Sequence, residues 1–227
     1  IVVIFMQTST ICAVATAPGG ALGVVRVAGP DALAVTDRVF RARSGRPLAE
    51  RRSHTLAFGH LVDPADDTIV DEVLVSVFRA PHSYTGEEAT EISCHGSTYI
   101  LQRVVQLLLA AGAEPAEPGE FTRRAFLNGK MDLSQAEAVA DLIASSTAAS
   151  HRVAMSQMRG HFSQRLAGLR EQLLQLTSLL ELELDFSDHE DLEFADRREL
   201  DAVAAAVERE TARLADSFAT GNALREG

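Results

Sequence analysis

The segment Ile69-Val-Asp-Glu-Val-Leu-Val-Ser-Val-Phe78 is a short apolar run rich in valine, and it is typical of the first half of this 227-residue chain. Up to about residue 128, such runs alternate with glycine and proline, and their branched residues favour strands. We predict two helices between the runs, one after Pro30 and one from about Ser97 to Ala111. The predicted strands are Thr10–Thr16, Gly23–Ala28, His54–Val62, Ile69–Phe78 and Ala89–Cys94.

The second half of the chain has helical spacing instead. Apolar residues recur every three or four positions in three stretches, which begin at Leu133, Phe162 and Leu200. This spacing predicts amphipathic helices, and no proline follows Pro118 to interrupt them. We interpret the leucine stripe of the second stretch, which ends at Leu180, as the core of a helical bundle or as a seam for a further element.

The change of period predicts two domains. Residues 1–128 are expected to form an α+β domain with a mixed, roughly five-stranded sheet, and residues 129–227 an all-α helical-bundle segment. Residues 1–9 are interpreted as an extension or a disordered segment. No apolar run approaches the roughly 20 residues that span a bilayer. Two cysteines do not make a disulfide scaffold, so we expect a cytoplasmic protein without a membrane partner.

The net charge of −11 is concentrated in one stretch. Residues 181–201 contain ten acids and two arginines, and such a stretch repels phosphate. A calcium-binding loop at residues 188–193 is a more specific interpretation of these acids. The glycine and the ligand spacing of an EF-hand are missing there, so a solvated corner between helices is favoured.

Arginine is concentrated in residues 38–52. Contact with phosphate groups is one interpretation of this segment. An exposed connector is the favoured one, because no aromatic residue for base stacking lies between Arg41 and Arg52.

Common catalytic motifs are not found. Gly129-Lys130 lacks the earlier glycine and the following hydroxyl residue of a phosphate loop. The turn Gly19-Gly20-Ala21 leads into a strand, not a helix, and is interpreted as a place where the backbone approaches a ligand or another chain. Cys94 and His95 are adjacent on a strand and point to opposite faces, so they do not form a nucleophile–base pair. No catalytic or metal-ligating residue is predicted.

Three segments each carry a charge beside apolar residues, where it is costly unless it is paired or bound to a ligand. A carboxylate such as Glu91 can accept two parallel hydrogen bonds from an amino-heterocycle, whereas Arg26 and Lys130 suit carboxylate, phosphate or carbonyl oxygens. A ligand site and an internal Arg–Glu salt bridge are equally consistent with the spacing. The segments are Gly23–Gly29, Ser83–Gly96 and Pro118–Leu133.

These segments resemble the MnmE family of tRNA modification GTPases, also called TrmE. The resemblance begins at Thr10–Thr16 and reaches residues 224–227, so it covers nearly the whole chain. Its longest block runs from Pro118 to Ile143. Shorter matching blocks are Arg26–Pro30, Ser83–Glu88 and Cys94–Gly96.

The resemblance implies an N-terminal domain that forms a homodimer and binds a tetrahydrofolate one-carbon donor such as 5-formyl-tetrahydrofolate. The family's folate contacts match Arg26, Glu91 and Lys130. Glu91 would anchor the amino edge of the pterin, and the two cations would hold carbonyl or glutamate-tail oxygens. Folate would carry the one-carbon chemistry, so none of the three need be a general acid or base.

The resemblance also implies a helical domain into which a GTPase domain is inserted, and GTP, K+ and Mg2+ would bind only there. With a flavoprotein partner of the MnmG type, the family installs an aminomethyl-type group, such as carboxymethylaminomethyl, on the wobble uridine of certain tRNAs.

The chain departs from the family's pattern at two places. Family sequences commonly carry an arginine in the glycine turn, where this chain has Gly19-Gly20-Ala21, and the chain stops at Gly227, where the GTPase domain would begin. We therefore expect an N-terminal fragment that does not hydrolyse GTP by itself and that meets tRNA only in the full complex. The alternative is a non-catalytic dimerisation scaffold that does not bind folate.

Overall fold

A computed structural model describes residues 9–17, 19–185 and 197–226. The chain divides into two compact units, of which the first ends at Met131 and the second begins at Asp132. The calcium loop considered at residues 188–193 and the first eight residues of the expected extension lie outside the described residues.

The first unit is built on a mixed sheet of seven strands in the order β3-β4-β5-β6-β2-β1-β7. β1 and β7 are parallel, and the other neighbouring strands are antiparallel. The expected α+β class is confirmed, but the sheet has two more strands than expected because β3 and β7 are too short to form a pattern in the sequence. The strands are β1 (Ile11–Val14), β2 (Leu22–Ala28), β3 (Phe40–Ala42), β4 (Thr55–Val62), β5 (Ile69–Phe78), β6 (Ala89–His95) and β7 (Glu114–Pro115).

Two helices, α1 (Ala32–Val39) and α2 (Thr98–Ala110), contact the sheet and bury one of its faces. Successive strand side chains point to opposite faces, so every second residue of β2, β5 and β6 enters this core. The remaining residues form an outer face, on which Leu56, Phe58 and Leu74 are 63%, 40% and 43% exposed. The fully buried residues of the core include Val25, Val27, Val35, Val73, Val75, Val77, Ile92, Val104 and Leu108.

A third helix, α3 (Glu120–Leu127), follows β7 and carries a buried ion pair. Arg124 Nη2 lies 2.9 Å from Glu120 Oε1, and both side chains are almost fully buried. Burial by itself would raise the pKa of Glu120. Hydrogen bonds from the backbone N–H of Glu117 and from Arg124, together with the nearby arginine charges, outweigh burial and lower this pKa below its usual value. The pair ties α3 to the chain before β1, because Arg124 also donates to the carbonyl of Ser9 at 2.8 Å.

The second unit is helical, as expected. Capping boxes at Asp132 and Thr147 start its first two helices. Along the predicted leucine stripe, four side chains are 41–48% exposed: Phe162, Leu166, Leu173 and Leu180. The described residues of this stripe are therefore half-buried, as the alternative of a seam for a further element would have them. The helices are α4 (Leu133–Ala144), α5 (Ala148–Met158), α6 (His161–Asp185) and α7 (Arg197–Glu226).

None of the helices in the described ranges is both long enough and apolar enough to cross a bilayer.

Candidate functional site

A recess of about 150 Å3 opens on the outer face of the sheet. Its floor is formed by β2, β6 and the end of β5, where Ala89 pairs with Ala28 on one side and with Phe78 on the other. The two alanines are small, so they leave a hollow between the larger side chains around them. The lining residues are Arg26, Ala28, Phe78, Tyr84, Thr85, Ala89 and Glu91.

Arg26 and Glu91 face each other across β2 and β6 and form an ion pair at the recess. Both Nε and Nη2 of Arg26 approach the same oxygen, Oε1 of Glu91, at 2.9 and 2.7 Å. Their side chains are 27% and 28% exposed. In the part of the chain that the structure describes, no hydrogen bond is formed by Glu91 Oε2 or by Arg26 Nη1. The pair therefore keeps one acceptor and one donor group for a further partner.

Two aromatic rings flank the guanidinium of Arg26. Its central carbon lies 5.0 Å from the ring centre of Tyr84 and 5.4 Å from that of Phe121. Such contacts are attractive because the ring faces carry negative potential. They hold the guanidinium in place without neutralising its charge.

Residues 79–88, which we call the recess loop, are held by side chains of α3 and of the turn after it. The hydroxyls of Tyr84 and Thr122 lie 2.9 Å apart. Asn128 Nδ2 donates to the carbonyl of Thr85 at 2.7 Å. Further along the loop, Arg124 Nη1 donates to Glu87 at 3.3 Å. The walls of the recess thus depend on α3, although α3 itself supplies no lining residue.

The structure brings two of the three predicted site residues together. Arg26 and Glu91 line the recess, whereas Lys130 does not. Lys130 Nζ is exposed and donates to the carbonyl of Pro81 in the recess loop at 2.9 Å. Its aliphatic part runs close to Gly86, where an added Cβ would lie 3.2 Å from Lys130 Cγ. Lys130 therefore contacts the recess loop and not the recess itself.

Tyr84 and Phe121 are site residues that the sequence reasoning did not single out. Both lie inside the segments that carry the charges, and Tyr84 is one of only two tyrosines in the chain. That rarity is the one signal that could have drawn attention to it. Their approach to Arg26 depends on how the loop and α3 fold over the sheet, which the spacing of residues along the chain does not reveal.

The glycine turn approaches another segment of the same chain. The backbone N–H of Gly96 donates to the carbonyl of Ala21 at 3.0 Å. A Cβ at Gly96 would lie 2.0 Å from the carbonyl oxygen of Gly20. The close approach seen at this turn is therefore made within the same chain, to the residue that follows β6, whereas an approach to a ligand or another chain stays a prediction.

Cys94 and His95 lie on opposite faces of β6, as expected. Cys94 is buried, and burial, with a smaller contribution from the negative charge of Asp71, raises the pKa of its thiol to about 11. His95 is exposed, and its Nδ1 lies 2.7 Å from Asp71 Oδ1. Among the described residues, no three His, Cys, Asp or Glu side chains form a cluster suited to a metal ion.

This architecture defines a two-part protein: an α+β unit with a small, charged and aromatic-lined recess, followed by a helical unit. The chain belongs to the MnmE (TrmE) family of tRNA modification GTPases. Residues 10–130 match the family described as GTP-binding protein TrmE N-terminus, and residues 133–227 match the MnmE helical domain.

Curated relatives agree with this assignment. The tRNA modification GTPases MnmE of Bacteroides fragilis and Bacteroides thetaiotaomicron are each 60% identical to this chain over 223 residues, which cover 98% of the chain and 47% of each relative. The MnmE of Phocaeicola vulgatus is 55% identical over 253 residues, with 98% of this chain and 51% of that protein covered. The chain therefore spans about half the length of these relatives, and the resemblance inferred from the sequence is confirmed.

Proposed function

We propose that this chain is the folate-binding, dimerising N-terminal part of a tRNA-modifying GTPase. Its ligand would be 5-formyl-tetrahydrofolate or a related tetrahydrofolate that carries a one-carbon unit. The main support is the unused hydrogen-bonding capacity of the ion pair at the recess.

Glu91 and Arg26 offer the groups that a pterin needs. The amino group of a pterin and its neighbouring ring nitrogen present two parallel N–H donors, which suit the two oxygens of a carboxylate. Oε2 of Glu91 has no hydrogen bond among the described residues and can accept one of these N–H groups, whereas Oε1 already accepts from Nε and Nη2 of Arg26. The Nη1 group of Arg26 suits a carbonyl oxygen of the ligand. The rings of Tyr84 and Phe121 flank the guanidinium that would make this contact and hold it in place.

The size of the recess supports binding of only part of the ligand. Pockets for drug-sized ligands usually measure about 300–1,000 Å3, whereas this recess measures about 150 Å3. We propose that the bicyclic head enters it and that a second copy of the chain completes the site. The exposed side chains Leu22 and Leu74 on the same sheet face supply apolar surface for such a homodimer.

Lys130 would take the role of a cation at the mouth of the site. Its ammonium is exposed, and among the residues that the structure describes it is held by the carbonyl of Pro81 alone. A carbonyl gives a weaker hydrogen bond to ammonium than a carboxylate does. An exchange of the Pro81 carbonyl for a carboxylate of the folate's glutamate tail is therefore favourable.

The activity proposed for the whole protein follows from the family. GTP, K+ and Mg2+ would act in the GTPase domain of the whole protein. A flavoprotein of the MnmG type and tRNA would complete the complex, which would install carboxymethylaminomethyl or a related group on the wobble uridine. We propose the cytoplasm as the location of this reaction.

One observation favours a second candidate, a dimerisation scaffold that does not bind folate. The direct Arg26–Glu91 contact is the internal salt bridge that the sequence left open. If that pair were purely structural, the charges of the recess would need no ligand.

Calorimetric titration with 5-formyl-tetrahydrofolate separates the two candidates. We expect saturable binding by the chain and a loss of affinity of about tenfold or more in Glu91→Gln, because one carboxylate-assisted hydrogen bond is worth about 1.5–3 kcal/mol. Glu72→Gln is the matched control, since Glu72 lies on the neighbouring strand and pairs with His60 at 3.3 Å. A folded dimer without measurable binding, or equal affinities for all three proteins, would support the scaffold.

A further inference from the structure

The arginines of residues 38–52 form one positively charged edge of the first unit. They lie at the end of α1, on β3 and in the connection to β4, and β3 is an edge strand of the sheet. Residues 37–52 contain six arginines and only two acids, in a chain whose net charge is −11. We call these six side chains the arginine edge: Arg38, Arg41, Arg43, Arg46, Arg51 and Arg52.

Neutral groups hold several of these guanidiniums in place. Arg41 Nη1 donates to the backbone carbonyls of Asp37 and Arg38, each at 3.2 Å. Arg51 Nη2 donates to Ser44 Oγ at 2.6 Å. A guanidinium has five N–H donors, so these contacts orient the side chains and leave donors for a further partner.

The two acids of the segment neutralise little of this charge. The carboxylate of Asp37 accepts hydrogen bonds from the backbone N–H of Leu48 at 3.0 Å, and it makes no ion pair among the described residues. Glu50 lies 3.5 Å from Arg46 and is largely exposed, so water screens the pair. The arginine edge therefore presents fixed, unneutralised positive charge, which is the property that phosphate groups require.

Phe58 adds the aromatic surface that the arginine segment lacks in its own sequence. The central carbon of the Arg43 guanidinium lies 6.0 Å from the Phe58 ring centre. The backbone N–H of Arg43 also donates to the carbonyl of Phe58 at 2.9 Å. Because an exposed aromatic ring beside arginines is the arrangement that stacks unpaired bases, the reason for treating this segment as a mere connector no longer holds.

Phe58, which the Arg43 side chain contacts, lies on the outer face of the sheet, the face that also carries the recess. Leu56 pairs with Ser76, Ser76 with Glu91, and Glu91 with Arg26, so one row of outer-face residues runs from β4 to β2. Phe58 stands two residues further along β4. Three strand spacings separate β4 from β2, which corresponds to a distance on the order of 15 Å. A chain bound at Phe58 would thus lie on the same face as the ligand of the recess.

We infer that the arginine edge and Phe58 bind an unpaired segment of tRNA, with phosphates on the guanidiniums and a base stacked on Phe58. This chain would then contact tRNA directly, which replaces the expectation from the sequence that it meets tRNA only in the full complex. RNA is favoured over an anionic membrane because the curated relatives are named tRNA modification GTPases. The identity of the RNA as tRNA rests on the proposed function. The surface itself rests on the charges and contacts described above.

Binding of fluorescein-labelled tRNA, followed by anisotropy at salt concentrations from about 50 to 200 mM, tests the inference. The first variant is Arg43→Glu/Arg52→Glu. Within the described ranges, the side chain of Arg43 contacts only the exposed Phe58 ring, and the side chain of Arg52 is exposed and has no partner there, so the fold should survive. The control, Arg152→Glu/Arg170→Glu, makes the same change of charge at exposed positions of the helical unit.

We expect the Arg43/Arg52 variant to lose about tenfold or more in tRNA affinity, with a shallower salt dependence equivalent to one or two lost phosphate contacts. The control should change the affinity less than about twofold, because its charges lie outside the arginine edge. Phe58→Leu should lower the affinity about fivefold or more through lost stacking, while Leu56→Ala on the same strand should not.

Three results would overturn the inference. The first is that the chain does not bind tRNA at about 50 mM salt. The second is that the Arg43/Arg52 variant and its control change the tRNA affinity equally. The third is that vesicles of phosphatidylglycerol bind as tightly as tRNA through the same arginines. Titration with 5-formyl-tetrahydrofolate separates this inference from the proposed function. The Arg43/Arg52 variant should keep wild-type folate affinity. If the wild-type chain binds tRNA but does not bind 5-formyl-tetrahydrofolate, only the folate proposal is contradicted.

Discussion

The hydroxyl of Thr122 on α3 lies 2.9 Å from the hydroxyl of Tyr84 in the recess loop. This contact joins the helix to the loop at the residue whose ring lies 5.0 Å from the Arg26 guanidinium. Thr122 does not line the recess, yet it determines where one wall of the recess stands. The long block of sequence around α3 therefore acts on the site largely through the loop.

Thr122→Val should weaken folate binding by about as much free energy as it takes from the fold. Valine has the same shape as threonine but cannot hold the Tyr84 hydroxyl, so the ring gains freedom at the recess. We expect a loss of stability of about 1 kcal/mol and a loss of 5-formyl-tetrahydrofolate affinity of about threefold to tenfold by calorimetry. Thr122→Ser should restore the affinity.

The matched control for that prediction is Thr55→Val. Thr55 donates to the carbonyl of Arg52 at 2.7 Å, away from the recess. It should lose similar stability and keep full folate affinity. Equal affinities for the Thr122 and Thr55 variants would show that the Tyr84 contact has no positioning role.

Gly96→Ala should destabilise the first unit by about 2–3 kcal/mol. The new Cβ would lie 2.0 Å from the carbonyl oxygen of Gly20, and only a shift of backbone could relieve this contact. Both tyrosines of the chain, Tyr84 and Tyr99, belong to the first unit, so tyrosine fluorescence during urea unfolding reports on this unit.

Gly20→Ala is the control on the other side of the same contact. Its Cβ would lie 3.4 Å from the carbonyl oxygen of Leu22, which is ordinary contact. We expect its urea midpoint to stay close to that of the wild type. A Gly96 variant as stable as the Gly20 variant would mean that the turn adapts without cost.

Much of the fold could be predicted because its main strands are visible as short apolar runs. Ile69–Phe78 was predicted with both ends correct, and α2 was predicted to within one residue at each end. β3 has three residues and exists through its pairing with β4, so its own sequence carries no period that could reveal it. The same limit explains why β7 was missed.

The site was predictable only as a set of residue types. Arg26 and Glu91 were singled out because charges within apolar strands need partners, but their pairing depends on a register between strands 65 positions apart. Phe58 and Arg43 meet through the pairing around β3, which the sequence does not reveal. The position of Lys130 outside the recess likewise follows from the path of the recess loop.

The stability of the first unit should fall in acid partly through Glu120. The folded state lowers the pKa of this carboxyl, so its contribution is fully present above the unfolded pKa of about 4.3 and is lost as the pH falls through the folded pKa. Urea midpoints measured by tyrosine fluorescence should therefore decrease below about pH 4.5.

Glu120→Gln should make the urea midpoint depend less on pH in this acid range. It should also lower stability at pH 7 by about 3 kcal/mol, because Arg124 would keep its buried charge without this carboxylate. Glu117→Gln is the control, since Glu117 is three residues away and largely exposed in its contact with Arg123. If the Glu117 and Glu120 variants gave the same dependence of urea midpoint on pH, the loss of stability in acid would not come from Glu120.

Neither cysteine should react while the first unit is folded. Burial raises the pKa of Cys12 to about 11, and burial with the charge of Asp71 does the same for Cys94. The thiolate is the nucleophile, so at pH 8 only about one thiol in a thousand would be reactive, even without the steric protection of the core. Ellman's reagent should therefore label the native chain very slowly and should label two thiols at once in guanidinium chloride. Rapid labelling of one thiol in the native chain would mean that β1 or β6 opens far more readily than its buried position implies, and the Gly96→Ala variant, with its weakened contact after β6, should accelerate labelling of Cys94 first.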